Sequence, residues 1–421
     1  MKKRTIVHKV RDALRDTPVI AIIGPRQSGK STLAKSVMPK GASEITLDDD
    51  NIRRLAINDP IALITGLGRP LLIDEFQKAI NLSSTIKMMV DKDRAAGSYV
   101  ITGSADLNTV PSKTSSGTKN ESYDAKRDYD SLAGRIEYIT LLPFTQAEIA
   151  ELNNGFLENL FDNNFKYKES ELSQVDLARM IVTGGYPEVL SRQPHRRKAW
   201  FKSYIDSILK RDITEVYNVT KPKEVARLLH ALAINTSELL NKSSLGRVTG
   251  TTTKTTDKYI ATLEYTYLIK LIPAWHSNET KRLLTSEKIQ FIDTGLLCSL
   301  RNITEAKLLE DRTVLGSVLE TFIASELMKL VSQSAIDYEM HHYRSRDGLE
   351  IDLILTSECG VSVGVEVKAG MTLSQKWFKP LQTLIDQGVL SHGVVVYSGT
   401  KLLKVSDKIH LIPVSELLGL P

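Results

Sequence analysis

"TPVIAIIGPRQSGKSTLAKSV", residues 17–37, sets the fold class of this chain. Its first half is an apolar run from Val19 to Ile23, which predicts a buried strand. Its second half, from Lys30 on, meets no proline or glycine before Pro39 and predicts a helix. Between them Gly24, Pro25, Arg26, Gln27, Ser28, Gly29, Lys30 and Ser31 spell G-x-x-x-x-G-K-[ST]. Strand, glycine-bounded loop and helix in that order make a phosphate cradle. Loop N–H groups can wrap anionic oxygens, and the helix N-terminus behind them favours negative charge. Lys30 is expected to reach the β- and γ-phosphates of ATP and Ser31 to ligate Mg²⁺, with Thr32 one residue further into the helix.

A phosphate cradle needs acids to complete it. In "RPLLIDEFQKA", residues 69–79, an apolar run ends in Asp74 and Glu75. Two acids at the end of a buried strand are costly unless a cation or ligand meets them. Asp74 is expected to hold Mg²⁺ through water and Glu75 to polarise the attacking water. The next strand, in "GSYVITGSADL", ends in small polar residues, and Thr102 and Ser104 are expected to face the γ-phosphate from an adjacent strand. The reading so far is an α/β core with a parallel sheet.

The rest of the composition bounds the setting. The chain has 421 residues, enough for about two to four domains. Two cysteines in that length argue for a reducing compartment. No apolar run approaches the roughly 20 residues of a membrane span, and the basic, polar start "MKKRTIVHKVRDALRD" lacks the apolar centre of a signal peptide. A cytoplasmic protein with no membrane partner is expected. The net charge of +5 permits a nucleic-acid partner without requiring one.

From Asp106 to Asp130 the sequence is polar and unpatterned, as in a long loop. Strand character returns in "SLAGRIEYITLLPFT", where Arg135 follows a glycine. A cation there could complete a nucleotide site, in cis or in a neighbouring subunit of a homo-oligomer. The stretches "GPRQSGKSTL", "LLIDEFQ", "ITGS", "SLAGRIEYITLLPFT", "GGYPEVL" and "YIDSILKRDI" together resemble the prokaryotic AAA-type ATPases with a C-terminal DUF4143 region. The resemblance covers nearly the whole chain. It implies an AAA ATPase core, a helical and winged-helix middle, and a C-terminal module resembling the PD-(D/E)xK nuclease fold. The polar stretch before Arg135 is longer than that family usually carries.

The middle can be read on its own residues. "RRKAWFKSYIDSILKRDITEVYN" is a long helical pattern whose polar face carries Arg196, Arg197, Lys198, Lys202, Lys210 and Arg211. Beyond it, residues 223–275 parse as helix, short helix, turn, a helix from about Thr251 to Tyr267, and a strand. That is a helix-turn-helix with a wing. Arg247, Lys254 and Lys258, with Lys242, are the expected nucleic-acid contacts, with DNA favoured over RNA. Docking of a protein partner would use the same surface.

The C-terminal third mixes acids into apolar elements. "VLGSVLETFIASELMKLV" is a helix carrying Glu320, and "HHYRSRDGLEIDLILTSECGVSVGVEVKAG" reads as three strands. Asp352 and Glu350 share a strand face, as do Glu366 and Lys368. A helix Glu, a strand Asp and a strand Glu-x-Lys resemble the PD-(D/E)xK nucleases, with Ile351 where that pattern has proline. Glu320, Asp352 and Glu366 are the expected Mg²⁺ ligands and Lys368 the cation beside the reacting phosphate. The expected division is an ATPase domain at 1–150, a helical linker at 151–222, a winged helix at 223–300 and a nuclease-like domain at 301–421. Two function classes follow. One is an ATP-driven nucleic-acid enzyme with a nuclease domain. The other is an ATP-dependent switch or platform whose later domains only bind partners.

Overall fold

The computed structural model describes residues 2–104, 132–166, 169–216, 219, 221–276 and 285–421. The polar stretch 106–130 lies outside them.

The apolar run after Pro18 becomes the central strand of a five-stranded parallel sheet. Its strands are β1 (Val19–Ile23), β2 (Ser43–Thr46), β3 (Leu71–Asp74), β4 (Tyr99–Gly103) and β5 (Ile136–Thr140), in the order β2-β3-β4-β1-β5. β1 reads as continuous apolar residues because both of its faces are covered. Val19, Ala21 and Ile23 join the core under the helices Asp50–Asn58, Pro60–Leu67 and Leu82–Lys92. Ile20 and Ile22 pack under the helices Val7–Asp16 and Lys30–Val37. β4 lies between β1 and β3, so its C-terminal end is wedged between the phosphate loop and Asp74.

A helical region follows. The helix Pro194–Ser207 runs directly into a π-helical stretch, Ile208–Val216. Next come the helices Pro222–Ile234, Lys242–Thr249 and Thr253–Tyr265, then an antiparallel ribbon of β6 (Ile269–Ile272) and β7 (Lys288–Phe291). Asn241 caps the second of these helices and Thr252 the third, which starts two residues later and ends two earlier than the pattern suggests.

The remaining sheet is six-stranded and mixed, in the order β12-β13-β11-β10-β9-β8. Its members are β8 (Tyr338–Arg344), β9 (Glu350–Ser357), β10 (Ser362–Lys368), β11 (His392–Tyr397), β12 (Leu403–Ser406) and β13 (Ile409–Pro413). The helix Arg312–Gln333 packs on β10 and β7, and Lys379–Asp386 covers the other face. One apolar cluster extends from Leu142 to Leu418, through the helical region, the ribbon and this sheet. The divisions at 222 and 300 remain a proposal about sequence segments, and packing runs across both.

"GGYPEVL" ties these parts together. Gly184 has φ +71°, and a Cβ there would come within 2.4 Å of the Asp293 carboxylate. Asp293 is fully buried and accepts from the N–H groups of Gly185 (2.7 Å) and Leu296 (2.9 Å).

Candidate nucleotide site and a carboxylate cluster

The phosphate loop leaves β1 at Gly24, where the backbone passes so close to Leu141 that a Cβ would sit 2.3 Å from its carbonyl oxygen. Its other end is the N-terminus of the helix Lys30–Val37, entered through Gly29 at φ +98°. Residues at the start of the chain hold the loop from behind. The buried Arg4 guanidinium donates to the Ser28 carbonyl, pairs with Glu148 at 3.2 Å and lies 3.6 Å over the Phe144 ring. No local pattern marks Arg4. Its role depends on contacts between segments far apart in sequence.

The expected acids converge on this loop. Asp74 Oδ1 accepts from Ser31 Oγ at 2.7 Å and also from Thr102 Oγ1. A hydroxyl and a carboxylate that meet in this way fit Mg²⁺ brought in with ATP, and Ser31 and Asp74 are the residues that would hold it. Glu75 stands beside them in a left-handed backbone conformation, φ 57° and ψ 43°. This costs a non-glycine residue roughly 1–2 kcal/mol and recurs where a side chain must be aimed. Gln77 Nε2 donates to Glu75 Oε2 at 2.6 Å and to Ser104 Oγ at 3.0 Å. Ser104 therefore reaches the site through Gln77, while Thr102 touches Asp74 directly.

Lys30 is buried and donates to the Pro25 carbonyl at 2.8 Å. Burial pushes its ammonium down to about 8, against the raising influence of Glu75 and Asp74. Bound phosphate would raise it again. Below that pH the amine is charged with or without ligand, whereas above it the free protein must take up a proton to bind. ATP affinity is therefore expected to hold steady up to about pH 7 and to fall by up to roughly tenfold per unit above pH 8. Calorimetry at about pH 8.5 in buffers of different ionisation enthalpy should show proton uptake; equal heats would contradict this.

Two cavities flank the loop. One, of about 730 Å³, is lined by Val7, Thr32, Leu33, Phe144, Pro187 and Leu190 among others. The other, about 850 Å³, lies towards the helical region and takes in Arg26, Gln27, Glu75, Trp200, Tyr204 and Arg211. Beside the second cavity, Arg26 Nε pairs with Asp212 at 2.8 Å and Tyr204 Oη donates to the Arg26 carbonyl at 3.2 Å. The phosphate loop is thus fastened to the π-helical stretch. On the basic face expected of this helix, Arg197 is committed to the Arg192 carbonyl and to Thr183 Oγ1.

Arg135 is not at this site. Its carbonyl pairs with Val19 N, at the end of β1 remote from the loop, and its guanidinium pairs with Asp91 at 2.6 Å. The intervening strand puts it roughly 13 Å or more from the phosphate loop of its own chain, which corrects the cis expectation. A role towards a neighbouring subunit is the form of it that stays open.

The C-terminal acids also converge, but on a different partner. Lys288, on β7 and 1% exposed, places Nζ 2.6 Å from Glu320, 3.3 Å from Glu350 and 3.4 Å from Asp352. Glu366 pairs instead with Lys368, and its second oxygen lies 3.4 Å from the Asp352 N–H. Asp352 Oδ2 accepts from Val367 N at 2.8 Å. Among the described residues no group of His, Cys, Asp or Glu is arranged to hold a metal ion. Glu320, Asp352 and Glu366 therefore do not fit the Mg²⁺ site expected of them, because an ammonium sits among the carboxylates and Glu366 is turned to its own lysine. Sequence reasoning missed Lys288, whose strand is far in sequence from each of those acids.

Arg247, Lys254 and Lys258 are exposed on the helices after Asn241, while Lys242 is paired with Asp257. No helix among the described residues is long and apolar enough to cross a membrane.

Comparison with known proteins agrees with this geometry in the N-terminal part. Residues 16–150 match the family model of an AAA domain. Residues 174–307 match a domain of unknown function, DUF8612, and residues 315–417 match another, DUF4143. The chain is 26% identical over 420 residues to the uncharacterized protein Rv2008c of Mycobacterium tuberculosis, covering 99% of this chain and 85% of that one. It is 24% identical over 438 residues to the uncharacterized protein MJ1544 of Methanocaldococcus jannaschii, covering 98% and 90%. Among solved structures, the Walker-type ATPase PABY2304 of Pyrococcus abyssi aligns with a TM-score of 0.43 at 14% identity, over 72% of this chain and 96% of that one.

Proposed function

We propose that this chain, an AAA-type ATPase with a C-terminal DUF4143 region, is a nucleotide-driven switch that holds nucleic acid through a winged-helix module. The observation that carries this reading is the Arg26–Asp212 pair, which joins the phosphate loop to the π-helical stretch. The helix Pro222–Ile234, first of the module, packs on that stretch. A γ-phosphate in the loop would compete with Asp212 for Arg26, and any shift of the stretch would be passed to the helix against it.

The chemistry at the nucleotide follows from the side chains. The apolar cavity at Phe144 and Leu190 suits the base and ribose. Lys30 and the loop N–H groups take the phosphates, and Glu75, held by Gln77, orients the attacking water. Mg²⁺ bound with ATP would spread the charge that develops on the transferred phosphoryl group.

Three helices followed by an antiparallel ribbon are the order of a winged helix, and its third helix presents Lys254 and Lys258 to solvent. DNA is favoured over RNA as the ligand. In the Lys254→Glu, Lys258→Glu double variant, duplex DNA binding should weaken by on the order of tenfold or more at low salt. Its salt dependence should flatten by about two phosphate contacts. Binding as tight as the parent's would assign the surface to protein docking instead. Cleavage by the C-terminal domain is disfavoured, since Glu320 and Asp352 converge on Lys288 and Lys368 is paired with Glu366. It would require Lys288 to leave the cluster.

A further inference from the structure

The C-terminal carboxylates pose a physical problem. Glu320, Glu350, Asp352 and Glu366 come from one helix and two strands, and three of them are largely or fully buried. Buried carboxylates are expensive unless a cation meets them. A divalent ion is the usual answer to several carboxylates around one point. Here that point is taken by the side chain of a residue from another part of the fold, the β6–β7 ribbon. Lys288 is anchored from both sides, since its backbone pairs with Ile272 across the ribbon and bridges to Leu239. Its amine is enclosed by three carboxylates at 1% exposure.

We propose that the Lys288 ammonium is the resident cation of this cluster, standing where a divalent ion would otherwise be held, so that the C-terminal domain grips the ribbon in place of a catalytic metal. One ammonium supplies less charge than a divalent ion. Burial, together with the neighbouring Asp352 charge, accordingly holds the Glu320 and Glu366 carboxyls above the usual carboxylate range. Arg344, 3.7 Å from Glu350, adds a further partner at the rim. The cluster is then a receptor for one lysine of the winged-helix ribbon, and cleavage would be barred wherever that lysine is seated. The inference stands on the cluster alone and does not depend on how the nucleotide site works.

The test is Mn²⁺ binding to the full chain without nucleotide, followed by electron paramagnetic resonance. An Asp74→Asn background suppresses metal at the phosphate loop. The parent should show no Mn²⁺ site that depends on Asp352. Lys288→Ala should gain about one Mn²⁺ per chain and lose it again on adding Asp352→Asn. Without metal, Lys288→Ala should melt earlier than the parent, and Mn²⁺ should restore its melting temperature while leaving the parent's unchanged. An Asp352-dependent Mn²⁺ site in the parent would overturn the proposal, as would a folded Lys288→Ala that gains none. If Lys288→Ala does not fold without metal, Lys288→Ala, Glu320→Gln removes one of the uncompensated charges. The same gain of Mn²⁺ is then expected at lower affinity, and its absence would overturn the proposal.

Discussion

Glu75→Gln is expected to bind ATP as the parent does and to turn it over roughly 10²–10⁴-fold more slowly. The amide keeps the size of the carboxylate but cannot take the proton of an attacking water. Apart from the charge it lends to Lys30, its part at the site is the aimed carboxylate itself. It lies outside the Ser31–Asp74 pair, and Gln77 aims it by a 2.6 Å hydrogen bond. Its left-handed backbone is the strained point of the strand end, φ 57°. Lys30→Ala provides the contrast: it should lose ATP binding itself, because the buried ammonium at the start of the loop's helix is gone. Phosphate release and fluorescent-nucleotide binding, measured on the same samples, separate the two effects. Unchanged turnover in Glu75→Gln would remove this residue from the reaction.

What could be read from the sequence was local. The loop from Gly24 to Ser31, the acid pair after β3 and Thr102 at the end of β4 each lie within one strand-to-helix passage, where spacing fixes geometry. The three helices of the middle and the strand after them were legible for the same reason, since caps such as Asn241 and Thr252 act over a few residues. Arg4, Lys288 and Asp293 were not legible. Each serves a partner more than a hundred residues away, or one fixed only by how sheets and helices stack, as with Arg4 on Glu148 and Asp293 on Gly185. The C-terminal acids show the limit clearly. Alternation put Glu350 with Asp352 and Glu366 with Lys368 on shared faces, but charge pattern alone does not say which cation they meet. Arg135 was placed at the start of its strand by the glycine before it, while the parallel register with β1 carried it away from the loop.

Asp212→Asn should sever the proposed link between nucleotide and nucleic acid. The substitution keeps shape and removes the charge that Arg26 answers at 2.8 Å. Tyr204 remains on the Arg26 carbonyl, so the loop keeps one anchor while losing the one that phosphate can compete for. The surrounding aromatic packing, with Trp200 stacked on Tyr204 at 5.0 Å, leaves the helix itself intact. Coupling free energies between sites correspond to roughly 5–150-fold in affinity. Most of that factor should vanish in Asp212→Asn.

The decisive measurement is the affinity of Glu75→Gln for duplex DNA, followed by fluorescence anisotropy at fixed salt, once with ATP and Mg²⁺ and once with ADP and Mg²⁺. The variant holds ATP long enough for both states to be compared. Affinities that differ by at least about fivefold are expected if the chain is a nucleotide-driven switch on nucleic acid. Equal affinities in the two states, or no binding in either, would contradict it.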